Sequence, residues 1–402
     1  NVSMGKPKIR WLVSLLIILN IPLVLFLRAC DLFGLRFRFG EIRTHVLGHF
    51  VFDIEYYLRK KKLVNSKSID LFFITGDTSN IQWLKMVKRK VFISPVVEIL
   101  FRANALLPNY KTYQIEKIPE RVSSRDYDGI FERTELEIAF TPEENDKGKI
   151  FLRNLGIEST DKFICLMVRD AAYKNSLSEK RDWSYHNYRD SNINTYVEAI
   201  NALADKGYWV FRMGKLVIDP LNTLHAKIID YASSDLRNDF MDIWLSANCS
   251  MCISTGFGLD EVPGINDIPT VFVNLLPLQH IPLYKFSLTH PKRLIWRETG
   301  DLLNIDEYMQ HSYISSGEYE AAGIRIVDLT SEEINKTVME MESVLRGERL
   351  LSDAQLHYQE QLIQSIFDLD KEKKRRYQYH LDKRAGIASM FLDQHLAGNR
   401  KK

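Results

Sequence analysis

Short apolar runs alternate with amphipathic helical patterns along most of the chain. The runs that we predict as strands lie at 35–42, 69–76, 90–95, 162–168, 208–213, 249–254 and 269–274. Short buried strands that alternate with helices are typical of βαβ units and predict parallel sheets. The pattern therefore predicts an α/β protein with two Rossmann-like, doubly wound domains.

Changes in this pattern divide the chain into four segments: an apolar N-terminal helix, two α/β domains, and a charged, helical C-terminal tail. The predicted limits of these segments are 1–30, 31–158, 159–331 and 332–402. Within the first domain, the stretch 109–149 is charged and weakly periodic, so we expect it to be irregular. A chain of 402 residues is longer than a single core usually supports, which agrees with two domains.

The N-terminal segment is the most apolar part of the chain. Residues 11–27 form a stretch of 17 residues without a charge, and basic residues flank it on both sides. This is the shortest length that crosses a membrane, and Asn20 and Pro22 interrupt it. A single membrane anchor, an in-plane interfacial helix, a cleaved signal peptide and a buried core helix are the alternatives, although the small-residue cleavage site of a signal peptide is missing. We favour association with a membrane surface, and the flanking charges leave the orientation open.

Overall composition excludes several classes of protein. The formal net charge is +2, with 45% hydrophobic and 26% charged residues, which is ordinary for a globular protein and argues against a nucleic-acid partner. The basic run at 371–384 favours a solvated helix face over a contact with anionic lipid. Four cysteines form no disulfide framework, and the CSMC sequence at 249–252 lacks the second pair that a zinc site needs. We expect no metal and no cofactor.

Polar loops follow the predicted strands of the second domain. In an open parallel sheet, ligands bind beyond the carboxyl ends of the strands, where such loops meet. Arg169 and Arg212 each end an apolar strand, and the planar fork of an arginine suits a phosphate better than a lysine does. The loop after the strand 249–254 begins STGFG, in which glycines allow close approach of the backbone and hydroxyls can donate to an anion. The candidate residues in this loop are Ser254, Thr255, Gly256 and Gly258.

The sequence RDWSYHNYRD at 181–190 directly precedes a helix that we predict from about Ser191 to 205. A surface turn needs one or two residues that can form hydrogen bonds, whereas this run has more. We expect the run to help hold an anionic, hydroxyl-rich ligand. The candidates are His186, Asn187, Arg189 and Asp190.

One candidate general base lies in the first domain. His49 follows the strand 35–42, and Asp53 lies one helical turn later on the same face. A histidine oriented by a carboxylate can deprotonate a hydroxyl. A helix-capping or buried structural role for His49 is an open alternative, and His45 is a rival for the same task.

Several catalytic motifs are missing from the sequence. The chain has no G-x-S-x-G elbow, no Walker motif, no G-x-G-x-x-G fingerprint and no H-E-x-x-H helix. A hydrolase triad, a P-loop NTPase and a nicotinamide enzyme are therefore disfavoured.

Three blocks of the chain are distinctive: YHNYRDSNINTYVEAINALADKGYWVFRMG, DYASSDLRNDFMDIWLSANCSMCISTGFGLDEVP and PTVFVN. Together they resemble a family of bacterial GT-B glycosyltransferases encoded among genes for surface polysaccharides. Weaker similarity, in IRTHVLGHFVFDIEYYLRK, VRDAAY and RAGIASMFLDQH, extends the match over most of the chain from about residue 35.

The resemblance implies a GT-B architecture and a metal-independent, hexosyltransferase-like enzyme at the cytoplasmic face of a membrane. The implied partners are a nucleotide-sugar donor and a glycan or lipid-linked acceptor. The donor diphosphate would lie against Arg169, Arg212, Ser254, Thr255, Gly256 and Gly258. His186, Asn187, Arg189, Asp190 and Lys215 would contact the rest of the donor, and His49 or Asp53 would serve as base.

Two other functions remain open at this point. Sugar-nucleotide 2-epimerases have the same architecture and bind the same donor without an acceptor, but they are soluble, which the apolar N-terminus disfavours. A catalytically inactive, membrane-associated carbohydrate-binding or assembly protein is an alternative from a different class. The nucleotide base, the sugar, the linkage, the stereochemical course and the oligomeric state do not follow from the sequence.

Overall fold

The computed structural model describes residues 7–118, 126, 128–170, 184–282, 284, 286–348, 351–368 and 386–399. The chain divides into two compact units. Unit 1 contains Asn1–Ser124 and Arg133–Phe140, and unit 2 contains Arg125–Glu132 and Thr141–Lys402.

Unit 1 is built on a three-stranded parallel sheet in the order β1-β2-β3. Its strands are β1 (Phe37–Ile42), β2 (Ile69–Ile74) and β3 (Phe92–Ile93). Its main helices are α1 (Pro7–Leu19), α2 (Ile21–Ala29), α3 (Leu47–Leu63), α4 (Ile81–Lys88) and α5 (Val96–Ala105). Phe39 and Phe73 of the sheet pack against Val97 and Leu100 of α5 and form one buried core.

Unit 2 contains a seven-stranded sheet, in which every pairing of neighbouring strands is parallel, and a separate antiparallel pair of strands. In chain order the strands are β4 (Phe163–Met167), β5 (Trp209–Arg212), β6 (Ile228–Ile229), β7 (Met251–Ser254), β8 (Thr270–Leu275), β9 (Ser287–Pro291), β10 (Arg293–Trp296), β11 (Ile324–Val327) and β12 (Gly386–Ile387). The large sheet has the order β12-β9-β8-β7-β4-β5-β6, and β10 pairs with β11. These parallel sheets confirm the predicted α/β class.

Helices cover both faces of the large sheet. The remaining α-helices in the described residues are α6 (Ile130–Arg133), α7 (Pro142–Asn154), α8 (Val197–Asp205), α9 (Asp239–Asn248), α10 (Glu261–Ile265), α11 (Ile305–Gln310), α12 (Ser316–Ala321), α13 (Ser331–Leu345), α14 (Asp353–Asp368) and α15 (Ser389–Asn399). On one face, α8 and α13 bury Ile200 and Val338 against alternate residues of the strands. On the other face, Trp244 of α9 stacks on Phe163 of β4 with ring centroids 6.5 Å apart.

The strand order reverses between β4 and β7. From β4 the chain adds β5 and β6 on one side, and it then returns to place β7 on the other side of β4. The connections that leave β4 and β7 at the carboxyl edge therefore lead to opposite sides of the sheet. Such a switch point is where ligands bind in doubly wound sheets.

The structure corrects two predictions of local structure. The stretch 109–149, which we expected to be irregular, includes most of α7. Thr141 begins this helix with a capping box, since its side chain accepts from Glu144 N and the Glu144 carboxylate accepts from Thr141 N. The helix predicted from Ser191 starts at Val197 instead, because Asn192 first caps a 3-10 turn over Ile193–Tyr196.

The C-terminal residues beyond 331 contribute to unit 2. The predicted helical tail starts at residue 332, and Ile334, Val338 and Met341 of α13 lie in the core beneath the large sheet. The two-residue strand β12, which we did not predict, pairs with β9 at the sheet edge. Part of the C-terminal segment is thus built into the folded unit.

The apolar N-terminal segment forms α1, α2 and a following 3-10 turn, Cys30–Phe33. Among the described residues, Trp11–Phe33 is one helical stretch of 23 residues that is long and apolar enough to cross a membrane. Core helices and signal sequences also meet this criterion, so length and composition leave the location open. Its Val24 is fully buried in the core of unit 1.

Candidate functional site

The loops after β4 and β7 are joined directly at the switch point of unit 2. Thr255 N donates to the carbonyl of Met167, the last residue of β4, over 3.2 Å. In return, the backbone nitrogen of Arg169 donates to the hydroxyl of Thr255 over 2.9 Å. These two bonds fix the point at which both loops leave the sheet. The predicted meeting of the two loops at one sheet edge is confirmed.

Arg169 is buried at this point, with 8% of its surface exposed. Its Nε donates to Asp190 Oδ1 over 3.0 Å. Within the described part of the chain, its two terminal nitrogens donate to no protein atom. Burial and the neighbouring charge of Arg189 lower the pKa of Arg169. A buried guanidinium with unused donors, next to a second guanidinium, is a favourable place for an anion.

Asp190 connects Arg169 to a buried lysine that the sequence did not identify. Lys292 follows β9, and its Nζ donates to the carbonyl of Asp190 over 2.6 Å and to Asp328 Oδ1 over 2.8 Å. Burial lowers the pKa of Lys292 and raises that of Asp190, even though Arg169 lies beside the carboxylate. The lysine holds the backbone of the loop that carries Asp190 and adds positive charge behind it.

The run 184–189 forms a 3-10 helix in which neighbouring residues have different environments. Tyr188 is buried, with its ring centroid 5.9 Å from that of Tyr319. Arg189 is partly exposed and donates from Nη2 to the carbonyl of Gly256 over 2.7 Å. Asn187 is exposed, and the side chain of His186 lies outside the described residues. Tyr188 thus anchors the run, and Arg189 reaches the loop after β7.

The glycine-containing loop after β7 is closed by a buried carboxylate. Asp260 Oδ2 accepts from Ser254 Oγ over 2.6 Å and from Phe257 N over 2.7 Å. Gly256 N in turn donates to Ser254 Oγ over 3.1 Å. Burial raises the pKa of Asp260 to about 6. The loop therefore uses its own hydroxyl and amide donors to hold its shape.

These bonds change the roles that we expected for the loop residues. The hydroxyls of Ser254 and Thr255 are buried and engaged within the protein. Gly256 has φ +79°, and a Cβ there would lie 2.9 Å from Leu275 Cδ1 and 3.4 Å from Arg189 Nη2. Gly258 begins a short 3-10 turn. The loop supports Arg169 and Arg189, and its hydroxyls are already engaged.

Arg212 ends β5, the other neighbour of β4, and it is almost fully buried. Its Nη1 pairs with Asp230 Oδ1 over 3.0 Å, and its Nη2 donates to the carbonyl of Asp219 over 3.1 Å. Asp230 also accepts from Leu221 N over 3.0 Å, which ties down the loop that follows β5. Both terminal nitrogens of Arg212 thus have protein partners. Lys215 lies exposed in the same loop.

A buried polar network supports the loop from the β8 side. Asn274 has φ +57°, and its amide donates to Ser191 Oγ over 3.0 Å and to Tyr196 Oη over 3.4 Å. Its Oδ1 accepts from Leu329 N over 2.8 Å. Sequence reasoning assigned no role to Asn274. An asparagine at the end of an apolar strand, where a loop must turn sharply, was the available signal.

The candidate base in unit 1 lies after β1. His49 is in the first turn of α3 and is partly buried. Asp53, one turn later, forms an ion pair with Arg43, whose Nη2 also donates to the carbonyl of Ile118 over 3.2 Å. The rival residue His45 is exposed. The Asp53 carboxylate is therefore paired with Arg43, the residue that directly follows β1.

The cysteines and carboxylates of the described residues do not suggest a metal centre. Among the described residues, no group of three or more His, Cys, Asp or Glu side chains is arranged to hold a metal ion. Cys165, Cys249 and Cys252 are free and buried in unit 2, and burial raises the pKa of Cys165 and Cys252. These thiols belong to the core of the sheet.

Comparison with known proteins gives weak likenesses only. No protein-family model matches the chain, and no curated protein matches its sequence. A glycosyl transferase family 9 structure from Veillonella parvula DSM 2008 has 10% identity, covers 76% of this chain and 97% of its own, and gives a TM-score of 0.47. The E. coli ADP-heptose lps heptosyltransferase II has 12% identity, 77% and 99% coverage, and a TM-score of 0.40.

A third solved structure is the iron-containing dodecameric glycosyltransferase TibC from enterotoxigenic E. coli. It has 11% identity, covers 79% of this chain and 81% of its own, and gives a TM-score of 0.39. Likenesses at this level do not assign a substrate or a site. The chemistry of this chain has to be argued from its own residues.

Proposed function

We propose that this protein is a GT-B glycosyltransferase that moves a sugar, a hexose or a similar one, from a nucleotide-sugar donor to a hydroxyl of a glycan or lipid-linked acceptor. The acceptor would belong to the biosynthesis of a surface polysaccharide. One observation carries the proposal. Arg169 and Arg189 lie together at the switch point of unit 2, and the buried fork of Arg169 has no protein partner for its terminal nitrogens among the described residues.

The donor diphosphate is the anion that we assign to these arginines. Two guanidiniums match the spread charge of a diphosphate, which grows as the glycosidic bond breaks. By analogy with removed oxyanion donors, one such contact is worth roughly 2 to 4 kcal/mol in the transition state. Lys292 supports this site indirectly, because its Nζ donates to the backbone carbonyl of Asp190 and holds that loop in place.

The other residues predicted to contact the nucleotide-sugar fall into two groups, according to whether their polar groups already bond to the protein. We retain the exposed Asn187 and, from the sequence, His186 as residues that contact the sugar or the nucleotide, with Lys215 nearby. Asp190 orients Arg169. We leave out the residues whose polar groups are engaged in holding the loops, which are Arg212, Ser254, Thr255 and Gly256, and we retain Gly258 only as part of the turn.

For the acceptor we assign unit 1, with His49 as the base that deprotonates the attacking hydroxyl in an inverting reaction. Its place in the loop-to-helix junction after β1 supports this role, because functional residues of parallel sheets gather at that edge. Asp53 and Arg43 form an ion pair one helical turn away, and they would keep the local charge fixed as the histidine takes up the proton. The reaction is proposed to occur at the cytoplasmic face of a membrane, where lipid-linked acceptors are found.

A ligand screen tests the donor assignment. Purified protein would be melted with UDP-, GDP-, CMP-, ADP- and dTDP-sugars, because a bound donor raises apparent stability by mass action. We expect one nucleotide class to raise the melting temperature and the Arg169→Ala, Arg189→Ala double variant to lose that response. The matched control is Arg297→Ala, which removes an exposed arginine that pairs with Glu320. A screen without any response, or an unchanged response in the double variant, would contradict the assignment.

A turnover assay separates the transferase from a 2-epimerase. The responding donor would be incubated alone and then with a membrane extract that contains lipid-linked acceptors. We expect transfer of labelled sugar only with the extract, and activity that persists after EDTA treatment. Epimerised donor in the absence of acceptor would favour the epimerase, and donor binding without either product would favour an inactive binding protein.

His49→Ala tests the base. We expect unchanged donor binding and a loss of turnover on the order of a hundredfold, which is the lower range for general acid–base catalysis. The isosteric control His49→Asn should behave as the alanine variant does, while His45→Ala should remain active. A parallel loss of donor binding and thermal stability in His49→Ala would show a structural histidine.

A further inference from the structure

One face of the apolar N-terminal segment is part of the core of unit 1. Ile17, Ile21, Val24 and Leu27 recur every three or four residues, and all four pack against the core of β1, β2 and α5. Val24 is fully buried there. Residues at this spacing lie along one side of a helix. The segment is therefore fixed lengthwise to a folded α/β unit.

The end of α2 is fixed by a charged side chain. Arg28 donates from Nε to Asn104 Oδ1 over 2.9 Å and from Nη1 to the carbonyl of Pro108 over 2.7 Å. Its guanidinium carbon also lies 4.7 Å from the ring centroid of Tyr113. Asn104 is itself fully buried and donates to the carbonyl of Tyr110 over 3.1 Å. To cross a bilayer, the segment would have to break the bonds of Arg28. The buried Asn104 Oδ1 would then lose the donor that Arg28 supplies.

The opposite face of the segment is apolar and exposed. Trp11, Leu19 and Phe26 are each about two-thirds exposed, and Leu32 and Phe33 are more than 80% exposed. Other large apolar side chains on this surface are Leu12, Leu15, Leu16, Ile18, Leu23 and Leu25. A soluble monomer rarely exposes so many contiguous apolar side chains, so this surface has an occupant.

The charge around this surface distinguishes between occupants. Residues 1–40 contain the basic residues Lys6, Lys8, Arg10, Arg28, Arg36 and Arg38, and Asp31 is their only acid. Arg36 pairs with Asp31 and Arg38 with Asp70, so the excess comes from Lys6, Lys8, Arg10 and Arg28. In a dimer that buried this face against itself, the basic excess of one copy would meet that of the other. Anionic lipid headgroups attract it instead, and each basic residue near such a surface contributes about 1 kcal/mol.

We propose that Trp11–Phe33 lies in the plane of an anionic membrane, with its exposed face among the acyl chains and unit 1 resting on the headgroups, and does not cross the bilayer. The buried face of the segment and the bonds of Arg28 keep it packed along unit 1. Interfacial helices of this kind bury an apolar face and keep cations at the headgroup level. The proposal deepens the membrane location proposed above, and it can be tested without donor or acceptor.

Vesicle flotation of the full chain tests the surface. We expect binding to vesicles of phosphatidylcholine with phosphatidylglycerol. Binding to phosphatidylcholine alone should be about fivefold weaker or more, because these vesicles have no anionic headgroups to attract the basic residues. The double variant Leu19→Glu, Phe26→Glu should lose at least about tenfold in partitioning, since two charges would enter the acyl region. Its control is Leu224→Glu, Ile314→Glu, which changes two exposed apolar residues of unit 2 and should bind as the wild type does.

Side-specific labelling tests the in-plane orientation. Gly5→Cys in a Cys30→Ser background and the natural Cys30 place a thiol at either end of the segment, while the remaining described cysteines are buried. On protein added to preformed vesicles, we expect an impermeant maleimide outside to label both ends. Labelling of one end only until detergent is added would show a spanning helix and overturn the proposal.

The remaining outcomes also decide the proposal. Absence of vesicle binding by wild-type protein with an unchanged melting temperature would overturn it. A lipid-free wild-type dimer that becomes a monomer in Leu19→Glu, Phe26→Glu would assign the face to a second copy and overturn it as well. Loss of donor binding with vesicle binding retained would contradict only the proposed function.

Discussion

The carboxyl ends of β4 and β5 lie side by side in one sheet, and each carries an arginine after an apolar strand. Arg212 donates from both terminal nitrogens to protein oxygens, whereas Arg169 uses only Nε within the described chain. Arg212 closes the loop that follows its own strand through Asp230. Arg169 lies where the sheet order reverses, beside the loop from β7 and near Arg189. The same residue type in the same local pattern thus becomes a structural tie in one place and a candidate ligand contact in the other.

A strand-end arginine therefore has to be judged by what its terminal nitrogens contact. A guanidinium paired to a carboxylate and a carbonyl loses the donors that a phosphate needs. At the switch point, Ser254 Oγ and Phe257 N of the neighbouring loop donate to Asp260, and Thr255 Oγ1 accepts from the backbone nitrogen of Arg169. Within the described residues, the fork of Arg169 therefore keeps its terminal donors.

Arg212→Ala should give the largest effect, on the stability of unit 2. The substitution removes a buried guanidinium and leaves Asp230 and the carbonyl of Asp219 without their partner. We expect the free energy of unfolding to fall by about 3 kcal/mol, as for other broken buried pairs. Urea denaturation measures it, and donor affinity of the folded fraction should be unchanged. A loss of affinity with unchanged stability would give Arg212 the role that we assign to Arg169.

Asp260→Asn tests the loop that sets the environment of Arg169. The folded pKa of Asp260, about 6, is above its ordinary value of 3.8, so the folded state binds the proton more tightly than the unfolded state does. This contribution is present below about pH 4 and is lost as the pH rises through 6. Between pH 4.5 and 7 we expect stability to fall by about 2 kcal/mol through this group in the wild type. The change should be absent in the variant, because asparagine keeps the accepting oxygen but does not titrate. Equal changes of unfolding free energy between pH 4.5 and 7 in both proteins would contradict this.

Arg169→Ala should give the smallest of the three effects and the most specific one. We expect nucleoside-diphosphate affinity to fall about tenfold, or about 1.4 kcal/mol. The loss of stability should be smaller than in Arg212→Ala, because one side-chain bond, to Asp190, is removed and Lys292 still lies near that carboxylate. Calorimetry with the nucleoside diphosphate identified by the screen measures the change. Arg169→Lys keeps the charge without the planar fork and should recover only part of the affinity. Wild-type affinity in the alanine variant would remove Arg169 from the site.

The exposed and buried faces of the N-terminal segment show a second limit of sequence reasoning. Composition predicted membrane association but left open whether the segment spans or lies flat. The relevant signal, the spacing of Ile17, Ile21 and Val24, is hidden in a run where nearly every residue is apolar. Packing against α5 and the bonds of Arg28 distinguish the faces, and both depend on residues far away in the sequence.

The order of amino acids was enough to predict the α/β class, most strand positions and the edge of the sheet to which the polar loops belong. These follow from local apolar patterns, because a buried parallel strand and an amphipathic helix each have a short-range signature. It also contained the capping box of α7 at Thr141, which our prediction of an irregular stretch overlooked.

The fold, in contrast, determines which polar side chains remain available for a ligand. Lys292, Asn274 and Asp328 approach the loop of Asp190 from strands and turns that are far apart in sequence. Whether Arg169 or Arg212 keeps free donors depends on the order of strands in the sheet, and strand order has no local signature. Partner choice among buried polar groups is a long-range property, and it sets the chemistry of this site.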